Sequence, residues 1–179
     1  MDHLSRERCR RFDREAVYPG NRGILEYWLS LRRDDALPQR ADFDLRHIRQ
    51  SLPKLSVIQI WPEERLVCRL SGTALVRIVG RDLTGCDVTA NTVPEFRRER
   101  MTRYVNCMDG FIHRSVRTLQ GASGDSIRNE CLILPFGDVR EDGSRQALLA
   151  ADWFAASGDQ LASAASAFAA PELSEYLAI

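Results

Sequence analysis

LPQRADFDLRHIRQSLPKLSVIQIWPEERLVCRLSGTALVRIVGRDLTG, residues 37–85, is the stretch that decides the fold. Pro38 blocks continuation of any preceding helix, because its ring removes a donor and restricts the residue before it. Asp44 can cap a short helix over 45–51, which Pro53 stops. Residues 55–61 are a β-rich apolar run, and Pro62, Glu63 and Glu64 make a turn. Residues 66–71 return as a second strand, which Gly72 breaks. Thr73 can cap a two-turn apolar helix over 74–79, and Gly80 closes it. Residues 82–85, Asp-Leu-Thr-Gly, form a second tight turn.

Upstream, Asn21 can cap a helix running from 22 to about 33. Ile24, Leu25, Trp28 and Leu31 fall on one face at helical spacing, so that face must be buried against something. Downstream, Thr92 and Glu95 have capping-box spacing, and Pro94 suits a first turn. The helix they open runs to about 108. Its apolar face is Met101, Tyr104, Val105 and Met108, while Arg97, Arg98, Glu99, Arg100 and Arg103 read as a solvated face. Strands follow at 111–119, 126–134 and 146–153, joined by a hairpin loop at 121–125 and a longer polar loop at 135–145. The order is two strands, short helices, one longer helix, then three strands. That order predicts an α+β fold, a five-stranded antiparallel sheet with helices on one face.

The wording of the central segment resembles one branch of the PAS superfamily, a bacterial group of single-domain PAS-like proteins formerly described only as a domain of unknown function. The shared phrases are Tyr27-Trp28 with Leu31-Arg32 before a proline, LPQRADFD, LPKL, RLSGTALV and GRDLTG. Arg40, Asp42, Gly72, Thr73, Gly80, Asp82 and Gly85 are the motif positions within them. The resemblance implies a PAS-like sheet in the spatial order 2-1-5-4-3. It speaks to fold more than to function, since sites rather than folds set chemistry.

Four regions are expected: an arm over 1–20 with Pro19-Gly20 as a breaker, an amphipathic helix over 21–36, the PAS-like domain over 37–154, and an Ala/Ser-rich tail over 155–179. Residues 171–179 can close the tail as a helix with Leu173, Tyr176 and Leu177 on one side. The chain has 179 residues, enough for one real core. Positive and negative side chains balance at 25 each, so no whole-molecule field favours nucleic acid or an anionic membrane. Lys54 is the only lysine. The N-terminus lacks the apolar core of a signal peptide and no stretch is long enough to span a bilayer, so a cytoplasmic location is expected. Cys9, Cys68, Cys86, Cys107 and Cys131 stand singly, which argues for reduced thiols.

No motif for catalysis stands out. There is no GxSxG, no P-loop and no forced acid/base pair. His3, His47 and His113 do not share a metal-ligand spacing. His113, in a strand, is a conceivable haem ligand, but a structural histidine is the better reading. Asn106-Cys107 lacks the surrounding phrase of flavin-reactive cysteines. No cofactor and no metal are therefore expected.

The expected pocket lies between sheet and helices, lined by Leu75, Ile78, Leu83, Met101, Tyr104 and Val105, with Arg69 and His113 reaching in from strands. Arg69 can meet an anionic ligand or a carboxylate such as Asp82; the plainer reading, in which both pin helices to the sheet, is preferred. The leading functional reading is a sensory or regulatory module, not an enzyme, that binds a small unidentified ligand or a signalling protein partner. It would act as a homodimer through Ile24, Leu25, Trp28 and Leu31. The alternatives are a small enzyme on the same scaffold and, below it, a nucleic-acid binder using Arg6, Arg8, Arg10, Arg11 and Arg14.

Overall fold

A computed structural model describes residues 17–34, 36–63, 65–154 and 171–178. The arginines of the arm, His3, Cys9 and the Ala/Ser-rich run of the tail lie outside the described residues. Helix α1 spans Pro19–Ser30 and is followed by 3-10 turns at Arg40–Asp42 and Leu45–Lys54. Strands β1 (Leu55–Trp61) and β2 (Arg65–Leu70) lead into helices α2 (Thr73–Val79) and α3 (Pro94–Met108). Strands β3 (Phe111–Gln120), β4 (Ser126–Pro135), β5 (Arg145–Phe154) and β6 (Leu173–Ala178) complete the chain.

All pairings are antiparallel, and the sheet order is β2-β1-β5-β4-β3-β6. The expected order 2-1-5-4-3 is present, extended by one strand. The sixth strand corrects the terminal helix expected over 171–179. Its sequence, LSEYLA, has no strict alternation, and it is the open edge of β3 that supplies a backbone partner along its length. Six residues alone are too few to sustain a helix in water.

Alternation along the strands gives the sheet two buried faces. The inner face carries Ile58, Leu66, Ile133 and Ala147 and lies under α2 and α3. The outer face carries Val57, Leu132, Leu134, Leu148 and Ala150 and lies under α1 and the 3-10 turns. Helices therefore cover both faces, not one. Ile24, Leu25 and Trp28 have no exposed surface, and Leu31 packs against the same cluster. The Trp28 indole N–H donates to the Pro135 carbonyl at 3.1 Å. The stripe expected to form a dimer is thus spent on the chain's own sheet.

Helix starts differ from the sequence reading in an instructive way. Pro19 opens α1 rather than breaking the chain before it, and Tyr18 stands at the N-cap. Asn21 is not a cap. It lies buried inside α1 and its amide reaches across to β4. Thr73 is the first helical residue of α2 behind Gly72, and makes no side-chain cap. The Thr92–Glu95 box does not form either: Val93 precedes α3, and the Thr92 hydroxyl donates to the Val88 carbonyl at 2.6 Å. Asp44 does cap, accepting from the Arg46 amide at 2.9 Å.

Gly72 is required by close approach. A Cβ there would collide with the carbonyl oxygens of Pro53 and Leu55, which belong to backbone that cannot yield cheaply. Gly80 closes α2 with φ 78°, the left-handed cap that other residues rarely adopt. Beyond it, Asp82 accepts from the Thr84 amide at 2.8 Å and shapes the turn that ends at Gly85. This turn returns the chain along β2: the amides of Gly85 and Val88 donate to the carbonyls of Cys68 and Leu66. The outer edge of the sheet is covered in this way.

Candidate functional site

A cavity of about 70 Å³ lies between the inner face of the sheet and α3. Strand register fixes its floor. Arg117 on β3 pairs with Asn129 on β4, which pairs with Trp153 on β5. These three side chains form one polar row across the sheet. The next row is Ser115, Cys131 and Ala151, and the third is His113, Ile133 and Leu149. All but His113 line the cavity. The roof is α3, where Arg100, Arg103 and Tyr104 fall on one face at three- and four-residue spacing. The far end, toward β1 and β2, is closed by Ile58, Cys68, Leu75, Leu83 and Val88.

Three guanidinium groups therefore line one site between the sheet and α3. Arg100 is 8%, Arg103 4% and Arg117 5% exposed. Arg103 donates to Glu99 at 3.2 Å, and Arg117 donates to the Ser115 hydroxyl at 3.1 Å. No carboxylate occurs among the described residues that line the cavity. Burial, reinforced by the neighbouring Arg117 and Arg103 cations, pushes Arg100 down to about 9. It stays charged at neutral pH, but in an environment that disfavours its charge. Two further donors, Arg103 Nε and the Trp153 indole N–H, are buried without an acceptor among the described residues.

The residues expected at this site divide. Leu75, Leu83 and Tyr104 line the cavity. Ile78 and Met101 belong to the same apolar cluster but not to the lining. Val105 is 43% exposed and points away, because α3 is turned so that Arg100, Met101, Arg103, Tyr104 and Cys107 face inward. Arg69 is exposed on β2 and makes no ion pair with Asp82, so it neither reaches the cavity nor pins a helix. Of the motif residues, Arg40 is half-buried, with its guanidinium over the Phe136 ring, and Asp42 is exposed.

Arg100, Arg103, Arg117, Asn129 and Trp153 are the residues that sequence reasoning missed. On α3 the arginines read as a solvated face because charged residues normally are. The one available signal was β3 itself, HRSVRTLQ, whose alternate positions are polar on a strand that must be covered. Polar residues on the floor call for polar residues on the roof.

His113 is fully buried, and its Nε2 lies 2.8 Å from the Ser174 hydroxyl of β6. Burial and the Arg103 and Arg117 cations hold it well below the usual histidine range, so it is neutral. Its ring also packs on Tyr176. Cys107 is buried on the inward face of α3, and burial pushes its thiol far up. A thiol held protonated is a poor nucleophile. Among the described residues no group of three or more His, Cys, Asp or Glu side chains is placed to hold a metal.

These raised acids have a measurable consequence. Burial lifts Cys68 from 9.0 to about 11, and it lifts Cys107 and Tyr104 further. Above about pH 9 the unfolded chain releases these protons while the folded chain keeps them. The folded state then binds more protons, so stability falls as pH rises. The urea midpoint is expected to drop between pH 9 and 11, and to drop less in a Cys68→Val variant. An identical alkaline slope in both proteins would remove Cys68 from this account.

On the outer face a second cluster joins the two ends of the described chain. Glu130 on β4 is fully buried and accepts from Arg114 Nε at 2.7 Å, from the Tyr18 amide at 3.0 Å and from the Asn21 amide at 2.9 Å. Arg114 also donates to Glu175 on β6 at 3.0 Å. Burial opposes the Arg114 charge, but the hydrogen bonds to Glu130 and Glu175 outweigh it and raise its pKa. One carboxylate thus ties the start of α1 to β3, and through Arg114 to β6.

Comparison with known proteins gives one family match. The model described as PAS domain matches residues 17–149, which includes α1 and every strand except β6 and the last residues of β5. No curated protein and no solved structure matches the chain.

Proposed function

The chain belongs to the PAS-domain family, a family of general sensory and regulatory modules, and on that premise we propose that it is a sensor that binds a small molecule between its sheet and α3. The observation that carries this reading is the cavity itself. It is partly open, is lined largely by apolar side chains, and gathers the Arg100, Arg103, Arg117, Asn129 and Trp153 side chains along part of its wall. Sites of this composition, mostly apolar with a few convergent polar groups, are where small ligands bind.

The surroundings of the cavity suit a readout at both ends of the described chain. Arg103 on the cavity roof is three residues from Asn106, which meets Tyr176 on β6. The neighbouring Glu175 holds Arg114, and Arg114 holds Glu130, where α1 begins. A ligand that shifts α3 would bias β6 and α1 through this chain of contacts. A protein partner, or a second copy, would then read those elements from surfaces other than the buried stripe of α1. No helix among the described residues is long and apolar enough to cross a membrane.

Native mass spectrometry of the purified chain is the direct test. A retained small molecule is expected, and its removal should increase hydrogen exchange in α3, β6 and the first turn of α1. A mass equal to the polypeptide alone, together with no thermal stabilisation by any component of a metabolite extract, would sink the reading.

A further inference from the structure

We propose that Cys68 and Cys86 are a redox pair, which hydrogen peroxide converts to a reversible disulfide at the edge of the cavity. Register places the two residues together. The chain that leaves the turn at 82–85 runs back antiparallel along β2, with Asp87 bridged to Val67. That bridge sets Cys86 opposite Cys68 and Val88 opposite Leu66. The Cys68 amide donates to the Cys86 carbonyl at 3.1 Å, and the Cys68 carbonyl accepts from the Gly85 amide at 2.7 Å. Residues opposed in an antiparallel pair have Cα atoms roughly 4.5–5.5 Å apart, within the roughly 4.4–6.8 Å that disulfides span. Both side chains also share a face. Cys68 belongs to the inner apolar cluster with Leu66 and Val88, and Cys86 packs against that cluster. Of the other described cysteines, Cys131 stands opposite Ser115 and Ala151, and Cys107 lies on α3.

Exposure decides the order of events. Cys86 is partly exposed, whereas Cys68 is 2% exposed and lines the cavity. Burial lifts the Cys68 thiol to about 11, and the nearby Cys86 sulfur contributes to the rise. Cys68 is therefore the slower nucleophile, and peroxide meets Cys86 first. The Cys86 sulfur attacks one peroxide oxygen, the O–O bond breaks, and the thiol proton leaves with the other oxygen as water. Cys86 is then a sulfenic acid. The Cys68 thiol, which donates to the Leu70 carbonyl at 3.3 Å, turns toward Cys86. Its sulfur attacks the sulfenic sulfur, the S–O bond breaks, and hydroxide departs with the Cys68 proton as a second water. Two thiols have given two electrons to one hydrogen peroxide. A dithiol reductant restores both thiols by exchange. The disulfide ties the segment between α2 and α3 to β2 and removes a thiol from the cavity wall, so oxidation alters the cavity itself.

The test treats the reduced full chain with an equivalent of hydrogen peroxide, caps the remaining thiols with iodoacetamide before unfolding, and maps tryptic peptides without reduction. Cleavage after Arg65, Arg69, Arg81 and Arg97 separates residues 66–69 from residues 82–97, so only a disulfide can hold these two peptides together. The linked pair is expected, and dithiothreitol should release it. Cys68→Ser should abolish the linkage and leave a Cys86 sulfenic acid that dimedone captures. Cys86→Ser should abolish the linkage and slow oxidation of Cys68 at least tenfold. The wild-type map stands even where a variant fails to fold. Linkage through Cys9, Cys107 or Cys131 in place of this pair would overturn the proposal. So would two thiols still reduced after peroxide, or Cys68 and Cys86 oxidised separately to sulfinic acids. Dimedone capture at Cys68 and not at Cys86 would overturn the order of attack.

Discussion

Glu130→Ala should destabilise the fold by about 3–5 kcal/mol, the usual range for removing one partner of a buried ion pair. Three donors lose this carboxylate at once: Arg114, the Tyr18 amide and the Asn21 side chain, the last keeping only the Glu130 backbone carbonyl. The Arg114 side chain is only 5% exposed, so water cannot easily replace the lost carboxylate, and the remaining Glu175 reaches a different nitrogen. Glu130→Gln keeps the volume and one acceptor oxygen, and should cost distinctly less. Replacing both members, Arg114→Met with Glu130→Leu, should recover much of the loss, since a well-packed apolar pair need not be worse than a buried salt bridge. Urea unfolding of the three variants measures this. A loss below about 1 kcal/mol for Glu130→Ala, the range of exposed pairs, would mean that solvent reaches the site and that the two chain ends are not locked there. Hydrogen exchange should localise the damage: the first turn of α1 and β6 are expected to open before β1.

Trp28→Ala should cost a similar amount, about 3–5 kcal/mol, as large-to-small changes at fully buried aromatics do. The indole has no exposed surface and packs in the same cluster as Ile24, Leu25, Phe43 and Phe136. Its N–H satisfies the Pro135 carbonyl, at the point where β4 leaves the sheet. Truncation would leave a void the size of an indole and remove that bond. Trp28→Phe should fall between, keeping part of the volume without the donor. The measurement pairs urea unfolding with sedimentation. A large loss of stability at unchanged mass is expected. A change of mass with little loss of stability would return the helix to an interface between copies.

Much of the fold was legible because its signals are local. Pro53, Gly72 and Gly80 act through their own backbone, and the β-rich runs at 55–61 and 126–134 announce themselves by composition. The strand–strand–helices–strand–strand–strand order then left few ways to close an antiparallel sheet. Asp44 capped as its spacing implied, whereas Thr73 and Thr92 did not, because a capping residue type states an ability and the neighbouring backbone decides its use.

The sequence by itself determined the elements, their order and the fact that α1 has an apolar face. It could not determine what that face meets, because amphipathicity records a need for burial and not the identity of the partner. Only the tertiary structure placed α1 on the outer face of its own sheet, and only the open edge of β3 turned 173–178 into a strand. The site follows the same division. Leu75, Leu83 and Tyr104 were found because apolar side chains must be covered. Arg100, Arg103 and Arg117 were missed because one charged residue looks like another until packing removes it from water. Their meeting depends on the rotation of α3 about its axis and on a strand register spanning β3 to β5, which are properties of packing between distant segments.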